Sequence, residues 1–287
     1  MRRNTADISS FIRLLRSYMD NKELLKKYDR LKEILSACGS VAVAFSGGVD
    51  SAFLLYAAKD AIGDKAFAVT SDSALCPGRE RGEAAEFCRD NGIRHIILKT
   101  DPLEFEGFAQ NPVNRCYICK KNLFELIKQT ARENGAEYVA EGSNKDDDSD
   151  FRPGRRAVEE LGILTPLRDS DLTKSEIRAL SRIFGLPTAD KPSFACLATR
   201  FPYGDTITRE NLEKADRAEQ ILFDLGFDQY RVRIHSRSAR IELPPADFER
   251  FMSEKTRLTV YEKFRELGFD YVSLDIAGYR MGSMNLK

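Results

Sequence analysis

Histidine is scarce in this sequence. Only His95 and His235 occur, both within short apolar runs that read as strands, which argues against a zinc site built on histidine. Net charge is absent too: 45 Lys and Arg balance 45 Asp and Glu. A surface dedicated to nucleic acid would carry a basic excess, so that class is disfavoured. No apolar run approaches the roughly 18 residues of a membrane span. The opening MRRNTADISSFIRLL lacks an apolar signal core and a small-residue cleavage site, and a cytoplasmic location is expected. Internal repeats and low-complexity tracts are also missing. Six cysteines in a chain of this kind point to metal binding, catalysis or burial rather than to a disulfide framework.

What is present starts with 287 residues, enough for one large or two medium domains, of which 42% are hydrophobic and 31% charged. The most informative stretch is VAVAFSGGVDS, residues 41–51. Val41–Phe45 reads as a buried strand, Ser46-Gly47-Gly48 as a tight turn, and Asp50-Ser51 as the opening of a helix. Adjacent glycines admit backbone conformations closed to other residues, and small side chains let a phosphate reach main-chain N–H groups. The unpaired N–H groups and dipole of the helix start make an anion site. The loop lacks the GK[ST] ending of a Walker A motif and the GxGxxG fingerprint.

Downstream, Ala66–Ser71, His95–Leu98 and Tyr138–Gly142 read as strands. Helical stretches are expected at Cys76–Gly92, Leu123–Asn134 and Lys174–Phe184, the last opened by a Thr173/Glu176 capping box. Phe151–Arg156 reads as a loop. This alternation predicts βαβ units and an α/β fold: a parallel sheet with helices on both faces. Ligands of such sheets sit at the carboxyl ends of the strands. Ser46, Ser71-Asp72-Ser73 and Glu141–Asp147 therefore converge there. After about residue 206 the pattern becomes α-β-β-α-β: an amphipathic helix over Thr208–Leu225, a hairpin Tyr230–Ile234/Ala239–Leu243, a helical stretch Pro245–Leu267 broken near Ser253, and a strand within Phe269–Ile276. The expected domains are a helical lead-in (1–38), with apolar stripes Ile8–Leu15 and Leu24–Leu35, a nucleotide domain (39–205), and a smaller α+β domain (206–287).

Cys116 and Cys119 form NRCYICKK, and Cys196 lies in KPSFACLATRFPYG. CxxC spacing lets two sulfurs meet one metal or cluster, or makes a redox pair. A polyanionic ligand would suit arginine forks. Arg200 beside Cys196, and Arg231 and Arg233 on one strand face, are the candidates, with Glu219 and Arg240 weaker ones. Arg115 could raise the thiolate character of its neighbour.

SGGxDS after a strand resembles the PP-loop of ATP pyrophosphatases, an adenine nucleotide alpha hydrolase-like fold. With NRCYxCK, EGSN, RPGRRA, KPSxACLATRFPYG and the closing GYRMGSMN, the chain from about residue 40 onward resembles the LarE family of ATP-dependent sulfur transferases in nickel-pincer cofactor biosynthesis. The resemblance implies that ATP and Mg2+ are held by Ser46, Gly47, Gly48, Asp50, Ser51 and Ser71. It implies adenylylation of a carboxylate of a pyridinium biscarboxylate mononucleotide, then replacement of AMP by sulfur. Sulfur would come from a sacrificial Cys196 or from a [4Fe–4S] cluster on Cys116, Cys119 and Cys196; the presence of all three cysteines favours the cluster. A mononucleotide substrate, sulfide or a sulfur donor, and a homo-oligomer are the expected partners. The competing readings are a PP-loop tRNA thiolation enzyme, an amide-forming ligase of the NAD- or GMP-synthetase type, and a nucleotide-binding module without turnover.

Overall fold

A computed structural model describes residues 22–149, 153–192 and 195–280. The stripe Ile8–Leu15 and the last residues of GYRMGSMN lie outside this range. The first helix, α1, covers residues 22–37 and turns Leu24, Tyr28, Leu31 and Leu35 inward, at the spacing of one helix face.

Four parallel strands follow in the spatial order β3-β2-β1-β4. They are β1 (Val41–Ala44), β2 (Ala66–Asp72), β3 (Arg94–Lys99) and β4 (Tyr138–Ala140). The register sets Val41 beside Ala66 on one side and beside Tyr138 on the other. β1 is thus flanked by two strands, and its apolar run is buried on both faces, as parallel sheets require. Val41, Val43, Phe45 and Ala68 pack with α1, α2 (Val49–Ile62), α3 (Gly78–Asp90) and, further along the chain, Ile177 and Leu180. Ala42, Phe67 and Val69 face the other way, against Phe124, Ile127 and Ala131 of α4 (Arg115–Glu133) and Val158 of α5 (Gly154–Glu160). The helices on both faces, and the strand–loop–helix at 41–51, agree with the sequence expectation.

Apart from shifts of one or two residues at other element ends, three boundaries differ in ways that bear on the site. α4 starts at Arg115, not near Leu123, so the CxxC lies in its first turns. Arg155 and Arg156 belong to α5 and not to a loop. β4 ends at Ala140 because the chain there comes up against α2: a Cβ on Gly142 would lie 2.9 Å from the Ser51 nitrogen. A short helix α6 (Pro166–Asp169) leads to α7 (Lys174–Ile183), whose Thr173/Glu176 capping box is present as expected.

The remaining elements are α8 (Arg209–Asp224), the hairpin β5 (Arg231–His235) and β6 (Ser238–Glu242), α9 (Phe248–Met252), α10 (Glu254–Glu266) and β7 (Tyr271–Leu274). β5 and β6 are antiparallel, and β7 joins β6 in parallel. Ser236 closes the hairpin with φ +55°, and Ser253 separates α9 from α10. The second apolar core is not confined to this segment. Leu75, Phe108, Leu197, Ala198 and Phe201 join Leu212, Leu222, Val232, Ile241 and Phe264 in it.

Candidate active site

The phosphate loop is braced from within. The Ser51 hydroxyl lies 3.0 Å from the Gly48 carbonyl, to which it donates, and 3.1 Å from the Ser46 hydroxyl. Gly47 has φ +76°, a conformation that favours glycine. Gly48 is the N-cap of α2 and has no side chain to occupy the helix's free N–H groups, which leaves them to a ligand. Two lysines from distant parts of the chain close on this loop. Lys174, first residue of α7, contacts the Asp50 carboxylate. Lys191 donates to the Gly47 carbonyl at 3.0 Å and pairs with Glu80 and Glu83 at 2.5 Å each.

Asp50 is the loop's acid. Burial pushes its carboxyl above the usual carboxylate range, while Lys174 pulls it down and Asp147 pushes it up further. Its Oδ1 is buried without a hydrogen-bond partner. The EGSN segment beyond β4 wraps the same point: the Asn144 N–H donates to Asp147 at 3.0 Å, and the Lys174 N–H donates to Asp146 at 2.8 Å. Ser71, at the end of β2, shares a 2.6 Å hydrogen bond with Thr100.

The thiol end is built differently. Cys196 is exposed and heads a short 3-10 turn, Leu197–Arg200. The guanidinium of Arg200 is fully buried behind this turn. It forms a two-pronged pair with Glu219 at 2.7 and 2.8 Å, and it donates to the Ala195 carbonyl at 3.0 Å. Arg233 repeats the pattern, pairing with Glu242 at 3.1 and 3.0 Å and donating to the Thr199 carbonyl at 2.6 Å. Two buried arginines therefore grip the backbone on both sides of Cys196, and two buried glutamates balance them. Such pairs are costly to bury, but once formed they fix geometry. Burial opposes the charge on Glu219, yet Arg200 outweighs it and holds that carboxyl below its ordinary range. Arg231 donates to the Tyr230 carbonyl at 2.6 Å and lies 5.1 Å from the Tyr279 ring centre. Burial, then the neighbouring Arg200, lowers its proton affinity. Arg240 reaches Glu242 at 3.3 Å.

Cys116 and Cys119 stand three residues apart on the first turns of α4, hence on one face. Burial pushes the Cys119 thiol up to about 12, and the charges of Cys196 and Cys116 add to this. Crowding by protein likewise pushes Cys196 up, although it keeps solvent access; the Ala198 N–H and the Arg115 and Arg200 charges act against this. Arg115 itself is buried, bound to Asn111 and stacked 4.5 Å from the Tyr203 ring centre.

No family model matches the chain. An uncharacterised protein of Synechocystis sp. is 38% identical over 91% of this chain and 98% of its own length. The pyridinium-3,5-bisthiocarboxylic acid mononucleotide synthase of Lactiplantibacillus plantarum is 37% identical over 85% of this chain and 88% of its own length. The chain belongs to the LarE family. A more distant PP-loop relative is the tRNA-specific 2-thiouridylase of Xanthobacter autotrophicus, 28% identical over 64% of this chain and 57% of its own length.

As a LarE-family chain this is an ATP-dependent sulfurtransferase with the PP-loop fold. An Mg2+ ion fits the phosphate end. Magnesium is commonly held by one or two carboxylates plus phosphate oxygens, and the orphaned Asp50 Oδ1, with Asp147 nearby, offers such a set. The thiol end brings Cys116, Cys119 and Cys196 close enough for their charges to act on one another, while among the described residues no three His, Cys, Asp or Glu side chains stand together as a site for a single metal ion. Lys174 and Lys191 were missed by the sequence reading. The signal for Lys174 was its position directly after the Thr173 cap, which fixes where its side chain starts. No local pattern marked Lys191.

Proposed function

We propose that this chain adenylylates a carboxylate of pyridinium-3,5-biscarboxylic acid mononucleotide and replaces AMP with sulfur, a step in nickel-pincer cofactor biosynthesis. The observation that carries the reading is the gripped turn at Cys196: an exposed thiol on a backbone immobilised by buried Arg200 and Arg233. Rigid support of this kind suits a reacting atom, since orientation alone can lower a barrier by several kcal/mol, up to about 10.

The loop amides and the α2 N-terminus would hold the β- and γ-phosphates, with Lys174 and Lys191 at its rim. Bound Mg2+ would neutralise charge on the phosphates as pyrophosphate leaves. The substrate carboxylate oxygen attacks the α-phosphorus, giving an acyl adenylate and pyrophosphate. The Cys196 sulfur then attacks the acyl carbon, its thiol proton passes to solvent, and AMP leaves. Cleavage of the Cys196 Cβ–S bond, with loss of the Cα proton, releases the thiocarboxylate and leaves dehydroalanine. Arg200 and Arg233 act here as positioning residues, while Arg231 remains the candidate for a substrate anion. Ser71 lies at the adjoining strand end, where the adenosine would sit.

The test is a single-turnover reaction with ATP and the biscarboxylate mononucleotide, followed by mass analysis of both small molecule and protein. Pyrophosphate, AMP, a thiocarboxylate product and dehydroalanine at position 196 are expected. Pyrophosphate release without any thiocarboxylate, with Cys196 intact, would overturn the sulfur-transfer reading. Thiocarboxylate formed with Cys196 intact, and iron and labile sulfide bound to the protein, would replace the sacrificial route by the cluster route.

A further inference from the structure

A fourth cysteine belongs beside Cys196, and neither the CxxC motif nor the sulfur-transfer reading uses it. Cys76 follows Leu75, and Cys196 precedes Leu197; the Leu197 N–H donates to the Leu75 carbonyl at 3.0 Å. Chain segments joined by such a bond run about 5 Å apart, within the roughly 4.4–6.8 Å Cα separation that a disulfide spans. Leu75 and Leu197 are both buried in the second core, so the two segments are held together by packing as well as by the hydrogen bond. Each cysteine sits one residue outside that anchored pair. Cys76 is half-buried and Cys196 exposed. Burial and then Glu80 push the Cys76 thiol up to about 12, and the charge of Cys196, close enough to be felt there, adds to this. Cys116 and Cys119, by contrast, are fixed on a different element, α4.

We infer that Cys76 and Cys196 form a reversible disulfide that shields the Cys196 sulfur from irreversible oxidation. The oxidant is a peroxide. The exposed Cys196 sulfur attacks a peroxide oxygen, becoming a sulfenic acid as the second oxygen leaves as water or alcohol. The Cys76 sulfur then attacks the sulfenic sulfur and expels water. Two thiols are oxidised by two electrons, one peroxide O–O bond is reduced, and the two thiol hydrogens leave in the water and alcohol. A dithiol or an excess of monothiol reverses the bond by exchange. The protective role rests on the proposed use of Cys196 as the sulfur-bearing residue; the disulfide itself does not.

The full-length protein would be treated with one equivalent of hydrogen peroxide, its free thiols alkylated, and the digest mapped by mass spectrometry without reductant. The expected result is one cross-linked peptide joining Cys76 to Cys196, with two of the six thiols lost to alkylation and recovered after dithiothreitol. Cys196 found as sulfinic acid or joined to Cys116 or Cys119, with Cys76 alkylated, would overturn the inference. In a second arm, Cys76→Ser is compared with wild type for sulfur transfer after peroxide and then reduction. Wild type should recover nearly all its activity, and the variant less than a tenth. Equal recovery would sink the protective role. If the cross-link forms but reduced wild type transfers no sulfur, the proposed function fails and the disulfide stands.

Discussion

Around the nucleotide loop the core is Val, Ala, Leu and Phe, and polarity enters through backbone N–H groups and through a few side chains such as Ser51, Glu80 and Asn144. Behind Cys196, Arg200, Arg231, Arg233, Glu219 and Glu242 are themselves buried within the second core. The first arrangement holds an anion with main chain and needs only small residues in sequence order. The second holds a turn with long charged side chains that come from separate elements. The first leans on main chain with a few charge pairs at its rim; the second is made of buried charges, none of which can be lost without stranding another.

Removing the thiol tests the difference most severely. Cys196→Ser should lower thiocarboxylate formation by about 10⁴-fold or more while AMP and pyrophosphate formation persist, as measured in the same reaction. Loss of both together would mean that the two ends of the cleft are not separable. Next comes Glu219→Leu, which leaves Arg200 buried without its carboxylate and should cost about 3–5 kcal/mol in urea unfolding. The double variant Arg200→Met/Glu219→Leu should recover most of that stability but not sulfur transfer, which separates folding from the positioning of Cys196. Equal recovery of both would remove the positioning role.

At the nucleotide end the effects should fall on rate rather than on stability. Asp50→Asn should reduce pyrophosphate release by about 10²-fold, with a weaker response to Mg2+. Its stability should also respond less to pH. A carboxyl raised above its unfolded value binds its proton more tightly in the folded chain, so ionisation costs stability as pH rises through the interval between the two values. Asn removes that dependence, and unfolding curves on either side of the carboxylate range would read it. The smallest change expected is from Thr173→Ala, about 1 kcal/mol from loss of the capping box, together with a modest rise in KM for ATP because Lys174 starts from that cap.

The same contrast explains what could be read from sequence. SGGVDS, the Thr173/Glu176 box, the break at Ser253 and the hairpin at Ser236 are local: each residue acts on neighbours a few positions away, so pattern and structure coincide. Arg200 and Glu219 were both singled out from sequence, but as separate contacts for a ligand. Their pairing across 19 positions is a tertiary fact that strand and helix periods do not encode. The CxxC was legible as chemistry and not as helix, because its apolar stripe starts only later in α4. Cys76 carried no spacing signal, since its neighbour Cys196 lies 120 positions on (196 less 76).

Lys191 is anchored to the carbonyl of Gly47, and Cys196 follows it by five positions. Even a fully drawn-out chain of that length reaches roughly 17 Å. The sulfur is therefore held at the end of a short tether whose other end is fixed on the phosphate loop itself. Activation and thiolation must take place inside one small arc, and the acyl group has little distance over which water could intercept it.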